Sequence, residues 1–144
     1  MLVKQILGSK ASQDMFWVKP EALVSEAARI MSENRIGTVV VSEDGKALAG
    51  ILSERDIVRQ IGKTGATCLD SAVSTLMTSK ITTCTGDDSD VQVMQTMTDG
   101  RFRHLPVMES DAMIGLISIG DVVKARLSEL AMEKSALEGM IMGH

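Results

Sequence analysis

Apolar and polar positions follow helical and strand periods that occur in a fixed order along the chain. From Val24 to Met31, apolar residues keep the i, i+3, i+4, i+7 spacing of an amphipathic helix. The Val-rich run Thr38–Ser42 predicts a strand, an Asp-Gly pair after it predicts a tight turn, and Leu48–Leu52 predicts the returning strand. The next helix begins within Ser53–Arg59. With the short β-rich run Met15–Lys19 in front, the predicted unit is β-α-β-β-α.

The same order of elements recurs in the second half of the chain. GILSERDIVR (Gly50–Arg59) and GLISIGDVVK (Gly115–Lys124) are nearly the same sequence, 65 positions apart. VKQILGSK (Val3–Lys10) aligns with VSTLMTSK (Val73–Lys80), and Ile81–Thr85 is the second short β-rich run. Self-similarity at a fixed spacing is typical of a duplicated structural unit. We therefore expect an α+β (α/β-like) fold made of two β-α-β-β-α repeats with internal pseudo-symmetry.

The C-terminal segment has no counterpart in the other repeat. Ala125–His144 predicts a helix with an apolar stripe of Leu127, Leu130, Leu137 and Ile141, which Lys134 interrupts. This stripe either covers the core of the same chain or contacts a second subunit. The predicted domain boundaries are residues 1–66 for the first repeat, 67–127 for the second and 128–144 for the C-terminal helix.

Chain length limits how independent the repeats can be. The chain has 144 residues, of which 44% are hydrophobic and 24% charged, as in an ordinary globular protein. One repeat alone would be marginal, because a chain of about 60 residues buries only about 60% of its unfolded surface. We therefore expect the two repeats to share a core.

Charge and composition argue against several kinds of partner. The net charge is −4 and aromatic residues make up 2%, so nucleic acid is not an expected partner. No apolar run approaches about 18 residues, and Met1–Lys10 does not resemble a signal peptide, so we expect no membrane association and a cytoplasmic location. Cys68 and Cys84 form no CxxC pair and are expected to be reduced thiols.

A Ser-x-x-Asp element stands at the strand-to-helix junction of both repeats, at Ser53 and Asp56 and again at Ser118 and Asp121. One interpretation is a helix capping box, which needs no ligand. The other is a nucleoside-phosphate site, because a carboxylate can accept both ribose hydroxyls and a helix N-terminus attracts anions. The duplication of both residues behind the same glycine favours two binding sites.

These repeats resemble the tandem cystathionine β-synthase (CBS) domain pair, or Bateman module, over about residues 1–127. RHLPV (Arg103–Val107) followed by GLISIGDVVK carries the resemblance in the second repeat, and GTVVV (Gly37–Val41) with GILSERDIVR carries it in the first. The resemblance implies two clefts related by a pseudo-twofold axis and a regulatory role without catalysis. It also implies an adenine ligand (AMP, ADP, ATP, NAD or S-adenosylmethionine), a homodimer and a separate effector protein.

The resemblance implies ligand-binding residues in each repeat, with the aspartates on ribose hydroxyls and the serines near ribose and phosphate. The arginines are added from the sequence as phosphate partners, because the guanidinium fork suits phosphate oxygens. The full set is Ser118, Asp121, Thr83, Ile81, Arg103, His104, Leu105 and Pro106 for one site, and Ser53, Asp56, Arg55, Thr38 and Val39 for the other. Trp17 stands where the second repeat has Thr83; it could stack on an adenine, but we interpret it as a core residue.

Two other functions are compatible with the sequence. The first is a protein-interaction or dimerisation scaffold whose clefts bind no ligand. The second is a small hydrolase that uses Ser118, His104 and Asp121, but the single internal histidine cannot serve two identical Ser/Asp elements. No CxxC or HExxH spacing indicates a metal site. We therefore expect a non-enzyme without a metal or resident cofactor.

Overall fold

The structure is a computed structural model that describes residues 1–10 and 15–142. The described residues divide into two compact units. One contains residues 1–10, 83–108 and 115–142, and we call it the Asp121 unit. The other contains residues 15–82 and 109–114, and we call it the Asp56 unit. Each unit is described by itself below.

The elements follow one another along the chain as the sequence predicts. They are α1 (Val3–Ser9), β1 (Trp17–Val18), α2 (Val24–Asn34), β2 (Thr38–Val41), β3 (Gly50–Ser53), α3 (Glu54–Thr64), two short 3-10 helices (Ala66–Asp70 and Val73–Thr75), β4 (Cys84–Thr85), α4 (Asp90–Gly100), β5 (His104–Glu109), β6 (Ala112–Ser118) and α5 (Ile119–Ile141). The predicted order β-α-β-β-α is confirmed for both repeats, and the α+β fold class with it.

Each repeat forms a three-stranded sheet of the same design. In the first sheet β1 pairs with β2 in parallel, and β2 pairs with β3 antiparallel. In the second sheet β4 pairs with β5 in parallel and β6 lies on the other side of β5. The first strand of each sheet is shorter than predicted, with two residues in place of the five of Met15–Lys19 and Ile81–Thr85.

The predicted Asp-Gly turn connects β2 and β3, and side-chain hydrogen bonds make it longer than expected. The backbone N–H of Gly45 donates to Ser42 Oγ at 2.9 Å, and Asp44 Oδ1 accepts from the N–H groups of Lys46 and Ala47 at 2.8 and 2.9 Å. The hydrogen bonds from the Ala47 and Lys46 N–H groups lower the pKa of Asp44. The returning strand therefore begins at Gly50 and not at Leu48.

The C-cap residue of the first helix in each repeat is an arginine. Arg35 after α2 and Arg101 after α4 have φ of 54° and 57°, in the left-handed region, and occupy the same position of the repeat. Their backbone N–H groups close the last turn on Met31 and Met97 carbonyls. The sequence predicts helix ends near Gly37 and Gly100; Gly100 is the last residue of α4, and Gly37 lies two residues after the C-cap of α2. An added Cβ at Gly37 would lie 3.1 Å from Glu54 Oε1, at the end of a flexible side chain.

The segment that precedes each repeat in the sequence packs in the unit of the other repeat. In the Asp121 unit, the N–H groups of Val3 and Lys4 donate to the carbonyls of Asp88 and Gly86 at 2.8 and 3.0 Å. The matching bonds of the Asp56 unit run from Val73 to Ala22 at 2.7 Å, and from Ser74 to Pro20 at 2.9 Å. Each compact unit therefore contains segments from separate parts of the chain. The predicted boundaries at residues 66 and 127 instead divide the chain into continuous segments.

Most of the buried apolar residues that the structure describes form two clusters, one in each unit. Val3 and Ile6 of α1 join the cluster of Val93, Met97 and Leu105, and Val73 joins the cluster of Val24 and Leu52. The single core that the sequence analysis expects the repeats to share is not found, because each unit has its own core. Each is completed by the segment that precedes the other repeat, which gives a small repeat the burial that it lacks alone.

Trp17 is not a core residue, and that prediction is wrong. Its side chain is 37% exposed because it takes the outward position of β1, while the next residue, Val18, points into the core. The indole packs on the turn, where an added Cβ at Gly45 would come within 2.9 Å of Trp17 Cε2. Gly45 also has a φ of 83°, which favours glycine.

Helix α5 merges two elements that the sequence treats as separate. It runs without a break from the Ser118 cap to Ile141, and the predicted end at His144 lies outside the described residues. The predicted stripe is largely exposed, with Leu127 at 61%, Leu137 at 58% and Ile141 at 77%. It therefore does not cover the core of its own unit. No helix in the described part of the chain is long and apolar enough to span a membrane.

Candidate functional site

Both Ser-x-x-Asp elements form complete capping boxes. At the start of α5, Ser118 Oγ accepts from the Asp121 N–H at 3.1 Å, and Asp121 Oδ2 accepts from the Ser118 N–H at 2.9 Å. At the start of α3, Ser53 and Asp56 make the same two bonds at 3.2 and 2.9 Å. The carboxylates thereby satisfy backbone donors at the helix N-termini.

A third capping box, at the start of α4, shows that this geometry does not require a carboxylate. Ser89 and Gln92 make the reciprocal bonds at the start of α4, at 3.1 and 2.8 Å, without a carboxylate. Capping alone therefore explains the serine and the position of the acid. A ligand role for Asp121 or Asp56 depends on what else surrounds each carboxylate.

Lys10 forms an ion pair with the Asp121 carboxylate. Its Nζ is 3.0 Å from Asp121 Oδ2 and donates to the Leu116 carbonyl oxygen at 3.1 Å. Lys10 is the C-cap residue of α1, so the segment that precedes the first repeat supplies a cation to the second repeat. The two side chains are 27% and 22% exposed, which makes the pair partly buried and reachable from solvent.

The ionisation states of the site follow from these contacts. Burial raises the pKa of Asp121, but hydrogen bonds from Ser118 and Lys10 outweigh it, and the pKa lies below its usual value. Burial lowers the pKa of His104; the Lys10 and Arg103 charges add to this effect, and Asp121 opposes it. At neutral pH the site therefore holds an ionised Asp121 beside a mostly neutral His104.

A cleft of 530 Å³ opens beside Asp121 in the same unit. Two cationic side chains, Lys10 and Lys124, line it with the carboxylate. Its other lining residues are Met1, Ile6, Ser9, Ala125 and Ser128. Two ammonium groups, two hydroxyls and one carboxylate around an open cleft can receive a ligand that carries both hydroxyls and negative charge.

The Asp56 site has the same cap with a different cation. Arg59 Nη1 lies 3.6 Å from Asp56 Oδ1, one turn further along α3. The Arg59 side chain is 65% exposed and the Asp56 side chain 19%. Arg55 is exposed, and Thr38 is buried at the start of β2.

The domain family follows from comparison with known proteins. The model of the CBS domain matches twice, at residues 3–63 and 73–128. The chain belongs to the CBS domain family. The predicted resemblance is thereby confirmed, with two domains in tandem.

Two proteins show how far the similarity of this CBS pair extends. The CBS domain-containing protein CBSX3, mitochondrial, of Arabidopsis thaliana is 37% identical over 140 residues, which cover 94% of this chain and 68% of that protein. The crystal structure of the CBS-domain containing protein ATU1752 from Agrobacterium tumefaciens is 41% identical. It covers 88% of this chain and 99% of that one, with a TM-score of 0.82.

Two more distant CBS structures contain adenosine ligands. CBSX2, solved in complex with AMP, is 23% identical and covers 88% of this chain and 96% of its own, with a TM-score of 0.74. The CBS domain pair of protein MJ0100, solved with 5′-methylthioadenosine and S-adenosyl-L-methionine, is 20% identical and covers 90% and 98%, with a TM-score of 0.77. At these identities the likeness shows a common fold.

The other predicted ligand-binding residues of the CBS pair are spread over several environments. Leu105 and Val39 are 1% and 0% exposed within the two cores, and Pro106 is buried in β5. Thr83 and Arg103 are exposed in the Asp121 unit. Ile81 is half-buried and belongs to the Asp56 unit.

Four polar residues of the cleft were not predicted from the sequence. They are Lys10, Lys124, Ser9 and Ser128. A signal for two of them exists in the repeat, because both aligned segments end in Ser-Lys, at Ser9-Lys10 and Ser79-Lys80. No group of three His, Cys, Asp or Glu within residues 1–10 and 15–142 could hold a metal ion.

Proposed function

We propose that this CBS pair is a regulatory module that binds an adenine nucleotide at Asp121 and passes the binding state to a partner protein. The ligand class comprises AMP, ADP, ATP, NAD and S-adenosylmethionine. The observation that carries the proposal is the ionised, partly exposed Asp121 carboxylate at the edge of a cleft lined by Lys10 and Lys124. The AMP and S-adenosylmethionine complexes of more distant CBS pairs support the ligand class.

The chemistry of the cleft suits the two polar ends of a nucleotide. A carboxylate has about four lone-pair positions and can accept both hydroxyls of a ribose. Ammonium groups attract phosphate oxygens through charge-assisted hydrogen bonds. We assign the ribose to Asp121 and the phosphate side to the lysines, and place His104 and the β5 backbone near the base. Asp56 with Ser53 forms the second site of the proposal.

We propose a regulatory role and not a catalytic one, because Ser118 has a structural role in the helix cap. Its Oγ is the acceptor for the Asp121 N–H, so it serves the helix cap and is not activated as a nucleophile by that contact. The ligand shifts a conformational equilibrium by its differential affinity for two states. The chain therefore acts as a sensor, and the output requires an effector protein.

A homodimer in the cytoplasm completes the proposal. The exposed apolar residues of the α5 stripe, on both sides of Lys134, support a dimer, because exposed apolar surface marks interaction sites. The location stays a prediction; the Arabidopsis relative has mitochondrial in its name. The same stripe favours the alternative of a dimerisation scaffold without a ligand, which the following experiment separates from the sensor.

Isothermal titration tests the ligand and its site together. The protein, stripped of bound ligand, is titrated with AMP, ADP, ATP, NAD and S-adenosylmethionine, and then the Asp121→Ala and Asp56→Ala variants are titrated. Gln92→Ala is the matched control, since it removes the same type of capping bond in the same unit. We expect micromolar binding of at least one ligand, weakened at least tenfold by Asp121→Ala and unchanged by Gln92→Ala.

Three results would contradict the sensor. Absence of heat and of a thermal shift with all five ligands would leave the capping box as the only role of Asp121. If light scattering then showed a dimer, the scaffold would be the better explanation. Equal weakening by Asp121→Ala and Gln92→Ala would assign the loss to helix stability. Turnover of a nucleotide that Ser118→Ala abolished would indicate an enzyme.

A further inference from the structure

Lys10 occupies one of the two carboxylate oxygens that a bidentate ribose diol would use. Asp121 Oδ2 accepts from the Ser118 N–H at 2.9 Å and lies 3.0 Å from Lys10 Nζ. A carboxylate oxygen has two lone-pair positions, so these two donors fill Oδ2. The Ser118 donor is fixed by the helix cap, whereas Lys10 is on a flexible side chain. A ribose diol that binds both carboxylate oxygens must therefore displace the Lys10 ammonium.

A displaced Lys10 needs another anion. Its side chain is only 27% exposed, and Lys124 lines the same cleft, so two ammonium groups would face one carboxylate. A neutral nucleoside breaks the ion pair and supplies nothing in return. A nucleotide supplies a phosphate, which restores a charge-assisted contact for Lys10. S-adenosylmethionine has one carboxylate but also a sulfonium and an ammonium, so its net charge is positive, and it adds positive charge to a cleft that already contains two lysines.

We propose that Lys10 makes the Asp121 site selective for phosphorylated adenine nucleotides over adenosine and S-adenosylmethionine. The ribose diol replaces Lys10 on the carboxylate, and the ligand phosphate replaces the carboxylate on Lys10. This inference rests on the proposed function, because it assigns the ligand class of the same site.

The Asp56 unit lacks this arrangement. Lys80 is the counterpart of Lys10 in the repeat, but it is exposed and forms no ion pair within the described residues. Asp56 is paired instead with Arg59, which is on the same helix and 65% exposed. An exposed cation can leave a carboxylate for water at little cost. The selectivity is therefore a property of the Asp121 site alone.

Titration of a Lys10 variant against a charge series tests the selectivity. Adenosine, AMP, ATP and S-adenosylmethionine are the probes, and every protein carries Asp56→Ala so that one site is measured. Lys10→Met keeps the aliphatic stem and removes the charge. Lys4→Met is the matched control, since Lys4 is on α1, whose C-cap is Lys10, and pairs with Asp87 outside the cleft, at 3.2 Å.

We expect the protein with Lys10 to bind AMP or ATP at least tenfold more tightly than adenosine or S-adenosylmethionine. Lys10→Met lowers this preference at least tenfold, with weaker nucleotide binding and stronger adenosine binding, because no ion pair has to be broken. Lys4→Met leaves the preference unchanged.

The failures of the two proposals differ. An unchanged preference in Lys10→Met overturns the selectivity, as does tighter binding of adenosine or S-adenosylmethionine by the protein with Lys10. The proposed function survives either result when Asp121→Ala still weakens binding. The absence of heat with all four probes, and with ADP and NAD as well, in the protein with Lys10 overturns both.

Discussion

The Lys10–Asp121 ion pair should stabilise the folded protein, and a double-mutant cycle measures by how much. The variants are Lys10→Met, Asp121→Asn and the double variant; the new amide oxygen still accepts from the Ser118 N–H. Two unit charges 4 Å apart attract by about 4 kcal/mol at an effective dielectric constant of about 20. Exposed pairs retain only about 0.2–1 kcal/mol of coupling. With side chains 27% and 22% exposed, this pair lies between these limits, and we expect about 1–2 kcal/mol.

Urea unfolding at pH 7 and low salt gives the four free energies of the cycle. The interaction energy is the difference between the stability lost in the double variant and the sum of the stabilities lost in the two single variants. The control is a second cycle on Lys134 and Glu138, an exposed pair on α5 in the same unit, 3.9 Å apart. A Lys10–Asp121 coupling no larger than the control coupling would refute the argument that partial burial strengthens the pair.

The same cycle has a defined pH dependence. The folded-state pKa of Asp121 is lowered, so its contribution to stability is fully present above the unfolded-state pKa of about 3.9. It is lost as the pH falls through the lowered folded-state pKa. The coupling should therefore be constant from pH 7 to pH 5 and decline in stronger acid. A coupling that declined on the alkaline side of pH 5 would contradict this assignment.

Three further predictions follow from the caps and the cores. Ser118→Ala should destabilise the protein by about 1 kcal/mol, and Ser118→Asp by less, in urea unfolding, because aspartate is also a good N-cap. Cys84 is buried, which raises the pKa of its thiol to about 12, so a thiol reagent at pH 8 should modify it only in urea; modification of the native protein would contradict its burial. Met97→Ala should cost about 2–5 kcal/mol and Met140→Ala far less, since their side chains are 1% and 76% exposed; equal losses would contradict the core assignment.

The sequence predicts the helices and strands of this fold well because the residue patterns that indicate them occur in both repeats. The helical spacing at Val24–Met31 and the Val-rich strand Thr38–Ser42 are local patterns, and local patterns determine local elements. Trp17 shows where such patterns are insufficient. In a two-residue strand, only the pairing of β1 with β2 decides which side chain faces the core, and that pairing is a tertiary contact.

The candidate site was predicted in part for a similar reason. Ser118 and Asp121 are adjacent in the sequence pattern, and the structure confirms the capping box that they form. Lys10 is 111 residues away in the chain, and no spacing rule connects it to Asp121. The contact arises because α1 packs in the unit of the second repeat. The repeated Ser-Lys pair indicates that Lys10 has an equivalent position, but not which carboxylate it meets.

Because α5 is continuous, a tilt at one end of the helix moves its other end. Its first turn contains Asp121 and its far end contains Ile141, and at about 1.5 Å per residue the two lie about 30 Å apart. A tilt of only about 5° at the Asp121 end would move the other end by about 2–3 Å, whereas a gap of about 0.5–1 Å already weakens a packed contact. A small displacement at the first turn of the helix would thus become a larger displacement at its far end. A displacement of that size would change the contacts of a neighbouring protein.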